Sequence, residues 1–157
     1  DVSRYFLRFL EEESCGKCLP CRLGLKAMLE FLDRFSRGQG TLEDIDELES
    51  LAHAIMDTSL CALGGSAPNP VLTSIKYFRD EYVSHIVDKK CPAAVCKDLI
   101  TYRIDPETCN GCRVCARICP QQCISGEKKK LHTIDSNLCI RCGMCYDECP
   151  VDAVKVE

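Results

Sequence analysis

Residues 109–120 have the sequence CNGCRVCARICP, and residues 139–150 have the sequence CIRCGMCYDECP. Both stretches follow the pattern C-x2-C-x2-C-x3-C-P. An Ile-Asp pair precedes each copy at the same distance, at residues 104–105 and 134–135, so the unit repeats after 30 residues. Eight cysteines and two prolines must keep register for this repeat to form, which argues against chance and against a set of disulfides. The repeat therefore decides the fold of the C-terminal part.

The cysteine spacing favours iron–sulfur chemistry over zinc. A cubane cluster needs four thiolates around a compact core, and three from one tight loop plus a remote one meet that need. Zinc sites take four ligands from C-x2-C pairs, whereas these runs are triplets with a further cysteine before proline. One alternative remains open, namely that the clusters only staple the domain.

The repeat resembles the bacterial two-cluster ferredoxins from about residue 100 to residue 157. In that family the fourth cysteine is exchanged between the two repeats. The resemblance implies one cluster on Cys109, Cys112, Cys115 and Cys149, and a second on Cys139, Cys142, Cys145 and Cys119. The implied fold is a pair of short hairpins with two short helices. Its apolar residues around the clusters are expected to be Ile104, Ile118, Ile124, Ile134 and Val154.

Composition restricts the function classes. The chain has 157 residues, 15 of them cysteine, and a formal net charge of −4. It shows no basic stripe for nucleic acid, no signal peptide and no apolar run long enough to span a membrane. We therefore expect a cytoplasmic protein, where thiols hold metals more often than disulfides. Because Asp1 already lies within a helical pattern, the sequence predicts a piece of a larger or processed polypeptide.

Helical periodicity dominates the first half of the chain. Helices are predicted over 3–13 and 21–35, then after the N-cap Thr41 with Asp44 at the capping-box position, and after the prolines at 68 and 70. Four helices with short links predict a bundle. The residues expected on the apolar faces include Leu23, Leu25, Met28, Val71, Ile75 and Phe78. The fold class is thus α+β, a four-helix bundle followed by a small two-cluster domain.

A third cysteine triplet opens the second helix. Residues 13–22 have the sequence ESCGKCLPCR, which supplies Cys15, Cys18 and Cys21, and residues 61–64 have the sequence CALG. Cys61 is the unassigned cysteine of this region, and a bundle could bring its loop to the triplet. These four residues are the candidate ligands of a third [4Fe-4S] cluster.

The ESCGKCLPCR and CALG motifs are similar to the C-terminal cluster domain of the NADH-binding flavoprotein subunit of respiratory complex I. Related subunits occur in electron-bifurcating, NAD(P)-linked [FeFe] hydrogenases and in NAD-dependent formate dehydrogenases. The hydrogenase type adds a two-cluster ferredoxin domain, as this chain does. The resemblance implies FMN and NAD(H) in an N-terminal portion outside these residues, and as partners a hydrogenase catalytic subunit, a small [2Fe-2S] subunit and soluble ferredoxin.

Three cysteines remain after twelve are assigned to clusters. Cys91, Cys96 and Cys123, together with His85 six residues before Cys91, predict a zinc site near the junction of the two domains. Reduced buried thiols and a disulfide are the alternatives. His132 is a fallback ligand, although a surface histidine on a hairpin is the simpler interpretation.

The predicted domains are a helical bundle at 1–88, a linker with the zinc site at 89–100 and a ferredoxin domain at 101–157. The predicted function is intramolecular electron transfer through three [4Fe-4S] clusters within a hydrogenase complex, with no catalytic residue in this segment. The alternatives are a metal-stapled assembly hub, or the equivalent segment of a formate dehydrogenase.

Overall fold

The computed structural model describes all 157 residues, and they group into two units, Asp1–Leu99 and Ile100–Glu157. The first unit is helical. Its elements are α1 (Val2–Glu12), α2 (Leu19–Ser36), α3 (Glu43–Thr58), the short α4 (Ala62–Ser66) and α5 (Asn69–Val83). No helix in the chain combines the length and the apolar character needed to cross a lipid bilayer.

The helix starts follow local sequence chemistry. Ahead of α3, the Thr41 N–H donates to Asp44 Oδ2 (2.8 Å) and the Asp44 N–H donates to Thr41 Oγ1 (3.3 Å), so the predicted capping box is formed. A proline occupies the first turn of α2 and of α5, where its missing N–H leaves no intrahelical bond unmade.

The core of the first unit lies between the long helices. α2 packs against α1 and α3, and α5 packs against α1 and α3. Two expected core positions are wrong: Leu23 is 54% exposed and Phe78 is 56% exposed. Phe78 has φ −132° and ψ 33°, so α5 kinks there and the ring leaves the apolar face. The largest fully buried apolar side chains of this unit include Leu7, Leu25, Met28, Ile45, Leu48, Ile55, Val71 and Ile75.

Residues 84–99 belong to the first unit although they follow its last long helix. α5 continues into a π-helical turn, Ser84–Asp88, and a 3-10 turn follows at Lys97–Leu99. A Cβ on Gly38 would lie 2.8 Å from the Leu99 side chain, so this segment packs tightly against the end of α2. Residues 89–99 of the predicted linker 89–100 therefore group with the first unit, and Lys89 and Leu99 lie against Gly38 at the end of α2.

The second unit consists of two short antiparallel sheets and two short helices. β1 (Tyr102–Ile104) pairs with β4 (Val154–Val156), and β2 (Ile124–Ser125) pairs with β3 (Thr133–Ile134). The helices are α6 (Val114–Ile118) and α7 (Met144–Asp147). Ile104, Ile124 and Val154 are buried, while Ile134 packs at the edge of the same core.

The sequence repeat is also a backbone repeat. The Asp105 N–H donates to Ala153 O (2.7 Å) and the Asp135 N–H donates to Cys123 O (2.8 Å). Left-handed residues recur at the same interval, at positions 111 and 141, 113 and 143, and 122 and 152. The two halves thus share one backbone design and bind each other through equivalent hydrogen bonds.

Candidate metal centres

Two cavities in the second unit are lined by the cysteines of the repeat. One cavity is lined by Cys109, Cys112, Cys115 and Cys149. The other is lined by Cys139, Cys142, Cys145 and Cys119. Each cavity therefore takes three cysteines from one repeat and one from the other repeat, in the sets that the ferredoxin resemblance implies.

The third cysteine of each triplet is the most enclosed. Cys115 and Cys145 are 8% and 7% exposed, and burial raises the pKa of both thiols. The charges of Cys139 and Cys142 act in the same direction on Cys145, whose pKa rises to about 11. Several thiolates crowded into one apolar cavity repel each other, so each set needs a cation or a cationic cluster to be stable in the thiolate form.

Cys123 lies beside the second of these cavities. Its Sγ is 3.4 Å from Cys119 Sγ, and its residue lines the same cavity as the Cys139 triplet. Burial raises the Cys123 pKa to about 12, with further contributions from the hydrogen bond to Cys119 and from the charges of Cys119 and Cys139. Cys123 is therefore a protonated thiol next to a candidate cluster ligand.

His132 is buried rather than exposed on its hairpin. It is 1% exposed and lines the cavity of Cys109, Cys112, Cys115 and Cys149. A Cβ on Gly126 would lie 2.6 Å from the His132 ring, so the bare glycine makes room for it. Because Gly126 leaves this space, the surface position expected for His132 is wrong.

The triplet of the first unit lies in a loop that meets the Cys61 loop. The pKa of Cys18 is lowered, chiefly by the backbone N–H of Leu60 next to Cys61. A Cβ on Gly64 would lie 3.5 Å from Cys21 Cβ. The loop before α2 and the loop before α4 are thus in contact, which brings Cys61 to the neighbourhood of the triplet.

Two buried polar atoms without a hydrogen-bond partner indicate whether these sites suit an iron–sulfur cluster. Ser59 Oγ and His132 Nε2 are the side-chain nitrogen and oxygen atoms that are buried without any hydrogen-bond partner. Ser59 precedes Cys61 by two residues, and His132 lines a cysteine cavity. Buried polar atoms are rarely left unpaired unless an ion or water completes them. Sulfur acceptors of a bound cluster fit the position of Ser59, and thiolate donor sets fit all three sites.

A separate group of ligand atoms lies at the end of the first unit. His85, Cys91 and Cys96 present atoms that all lie within 4.8 Å of one another. Cys96 Sγ is 3.4 Å from His85 Nε2. In a tetrahedral site with Zn–S of about 2.3 Å and Zn–N of about 2.0 Å, sulfur and nitrogen lie about 3.5 Å apart. The three residues therefore fit one zinc ion.

Hydrogen bonds prepare this group for a metal. His85 Nδ1 is 2.6 Å from the Glu81 carbonyl oxygen, which can only accept, so Nδ1 carries the proton and Nε2 presents its lone pair. Burial raises the pKa of Cys96 to about 11. Burial acts in the same direction on Cys91, but the backbone N–H groups of Cys96 and Val95 outweigh it and lower the Cys91 pKa. The Cys91 thiol therefore loses its proton more readily than the Cys96 thiol.

Family comparisons cover both units. Residues 1–85 match the NADH-ubiquinone oxidoreductase-F iron-sulfur binding region, and residues 102–156 match a 4Fe-4S dicluster domain. The NADP-reducing hydrogenase subunit HndC of Solidesulfovibrio fructosivorans is 53% identical over 131 residues, which are 83% of this chain and 27% of that protein. The F subunit of the NADH-quinone oxidoreductase of Mycobacterium tuberculosis is 45% identical over 57% of this chain and 20% of its own length.

A solved structure is also similar. The crystal structure of an NAD+-reducing [NiFe]-hydrogenase matches with a TM-score of 0.51 and 33% identity over 54% of this chain and 15% of its own. This chain spans about a quarter or less of the length of these relatives. The relatives are subunits of oxidoreductases, and the segment they share with this chain is an iron–sulfur module. The chain belongs to the NADH-ubiquinone oxidoreductase-F iron-sulfur binding region family and continues into a 4Fe-4S dicluster domain.

Proposed function

We propose that this chain is an electron-transfer module with three [4Fe-4S] clusters. One is held on the four-helix bundle by Cys15, Cys18, Cys21 and Cys61, and two are held by the crossed cysteine sets of the ferredoxin domain. Each cluster carries one electron at a time, and its four cysteines leave no iron free for substrate. The observation that carries the proposal is the pair of cavities, each lined by three cysteines of one repeat and one of the other.

The larger protein is proposed to be the flavoprotein subunit of a cytoplasmic, NAD(P)-linked hydrogenase that bifurcates electrons. FMN and NAD(H) would be bound outside these residues, and the clusters would connect the flavin to a hydrogenase catalytic subunit, a small [2Fe-2S] subunit or soluble ferredoxin. The relative that covers 83% of this chain is named as an NADP-reducing hydrogenase subunit. That relative favours hydrogen over formate as the terminal substrate.

Metal analysis and EPR test the cluster assignment. An anaerobically purified chain is expected to contain about twelve iron and twelve sulfide per chain, on four of each per cubane. Reversible low-potential reduction seen by EPR supports electron transfer. Redox-silent clusters would instead support the alternative, a metal-stapled assembly hub. Replacing Cys61 with Ser should remove one EPR species and about four iron, and a full iron content in that variant would contradict the bundle site.

We further infer that His85, Cys91 and Cys96 bind Zn²⁺. Support comes from the 3.4 Å distance between Cys96 Sγ and His85 Nε2. The double variant Cys91→Ser, Cys96→Ser should lose about one zinc per chain, since two of the four ligands of a tetrahedral site are gone. Its iron content should stay unchanged, because neither cysteine lines a cluster cavity. Zinc retained by this variant would refute the site.

A further inference from the structure

Ser59 occupies an unusual position for a hydroxyl group. It follows the last residue of α3 in an extended conformation, and its N–H donates to Ile55 O (3.0 Å). Its Oγ is buried and has no hydrogen-bond partner within the chain. A buried polar group without a partner destabilises a fold by about 1–3 kcal/mol. Most serines in the chain avoid this penalty, as Ser66 does by donating to Ala62 O (2.7 Å).

The surroundings of this hydroxyl are the predicted cluster site. A Cβ on Gly64 would lie 2.3 Å from Ser59 Oγ and 3.5 Å from Cys21 Cβ. The pKa of Cys18 is lowered chiefly by the backbone N–H of Leu60, and a side-chain interaction with the Ser59 hydroxyl acts in the same direction, so this hydroxyl lies close to the Cys18 sulfur. Ser59 therefore stands between the bare backbone of Gly64 and two cysteines of the triplet, two residues before Cys61.

A second hydroxyl at this site is already paired. Ser14 Oγ lies 3.1 Å from Cys21 Sγ and accepts a hydrogen bond from the Gly16 N–H (3.3 Å). With Gly16 as its donor, the Ser14 hydroxyl proton is free for the Cys21 sulfur. The Ser59 hydroxyl meets no such hydrogen-bond geometry within the chain, and the side chain it acts on is Cys18, one of the four proposed cluster ligands.

We propose that the Ser59 hydroxyl donates a hydrogen bond to a sulfur atom of the cluster bound by Cys15, Cys18, Cys21 and Cys61, and thereby raises its reduction potential. The acceptor is a ligand thiolate or an inorganic sulfide. The reduced cluster carries one more negative charge than the oxidised one, so a donor stabilises it more. Ser59 would thus adjust the reduction potential of the cluster without binding iron. This proposal rests on the assignment of a cluster to these four cysteines.

The test is an EPR-monitored redox titration of the full chain, with Ser59→Ala as the variant and Ser66→Ala as the matched control. The bundle species is identified by its loss in Cys61→Ser. Ser59→Ala should keep its iron and shift the reduction equilibrium three- to tenfold toward the oxidised cluster, which is about 30–60 mV at 59 mV per tenfold change. Ser66→Ala should leave the potential unchanged, because its hydroxyl bonds within its own helix.

A second pair of variants covers the case in which Ser59→Ala does not hold its cluster. Ser59→Thr keeps a hydroxyl group, and Ser59→Val introduces a side chain of nearly the same shape as threonine but without the hydroxyl. Only Ser59→Val should therefore lower the reduction potential of the bundle cluster. An unchanged potential in Ser59→Ala, or equal potentials in the threonine and valine variants, would overturn the proposal. So would iron loss in both Thr and Val variants, since the residue would then be structural. A wild-type chain without the bundle species would instead refute the cluster assignment itself.

Discussion

Adjacent glycines in α4 should respond in opposite ways to the same substitution. An alanine Cβ at Gly64 would lie 2.3 Å from Ser59 Oγ and 2.5 Å from Ser59 Cβ, closer than real Cβ atoms approach. At Gly65 the nearest atom is the Met56 carbonyl oxygen, 3.9 Å away, which is ordinary contact. Both residues are helical, so Gly64→Ala and Gly65→Ala share the same gain in helix propensity, and their difference isolates the contact with Ser59.

The magnitude follows from the two effects. Alanine stabilises a helix by about 1 kcal/mol relative to glycine, whereas forcing a methyl group into a packed site destabilises by about 1–3 kcal/mol. Gly64→Ala should therefore be about 1–3 kcal/mol less stable than Gly65→Ala. In a unit of about 100 residues, 1 kcal/mol shifts the melting temperature by roughly 4–8 °C. The two variants should differ by at least about 4 °C.

The assay is thermal unfolding of the iron-loaded chain, followed by helical circular dichroism under anaerobic conditions, together with the rate of iron loss to a chelator. Gly64→Ala should lose iron faster, because the displaced loop carries Cys61. Ser59→Gly removes both clashing atoms, so it should destabilise the wild type and recover stability in the Gly64→Ala background. Equal melting temperatures for the two alanine variants, or no recovery with Ser59→Gly, would show that the contact is not tight.

Three further perturbations test other parts of the chain. Burial raises the pKa of Tyr82, so the folded state keeps this proton longer than the unfolded state, and stability present below pH about 10 is lost as pH rises through the folded pKa. Between pH 9 and 11, the urea concentration at the midpoint of unfolding should fall more in the wild type than in Tyr82→Phe. The same pH dependence of the midpoint in both proteins would contradict this. A Cβ on Gly111 would lie 2.5 Å from the Lys130 backbone nitrogen, so Gly111→Ala should lower iron by about four per chain, and normal iron would exclude the clash. Cys123→Ala should fold and keep its iron, because Ala153 occupies the equivalent place; loss of about four iron per chain would contradict this.

The cysteine spacing predicted most of the ferredoxin domain because a repeated motif constrains backbone and ligands together. The same 30-residue interval that aligns the cysteines also aligns the left-handed residues at 111 and 141 and at 113 and 143. The capping box of Thr41 and Asp44 was predictable for a similar reason, since it depends on three adjacent peptide units and not on tertiary packing.

Features that depend on a neighbour distant in sequence or on a local distortion were not predictable. Helical periodicity placed Phe78 on the apolar face, but a kink at that residue exposes it. His132 belongs to a polar hairpin, and its burial requires the space that Gly126 leaves. Ser59 is a single serine at a helix end, and only the packing of Gly64 reveals that its hydroxyl is enclosed. The hydrophobic pattern predicts which helices and strands form. Buried polar atoms without a hydrogen-bond partner can be identified only from the packing of those elements in the structure.

The near symmetry of the ferredoxin domain locates the residues that can make its two clusters differ. Tyr102 and His132 hold equivalent positions 30 residues apart, and each lines the cavity of the opposite triplet. Cys123 and Ala153 accept equivalent backbone hydrogen bonds, yet only Cys123 places a thiol 3.4 Å from a candidate ligand. Because the backbone is the same in both halves, differences in potential between the clusters must arise from such unequal side chains and from solvent exposure. At two pairs of positions, 102 with 132 and 123 with 153, the two cysteine cavities are therefore lined by different side chains.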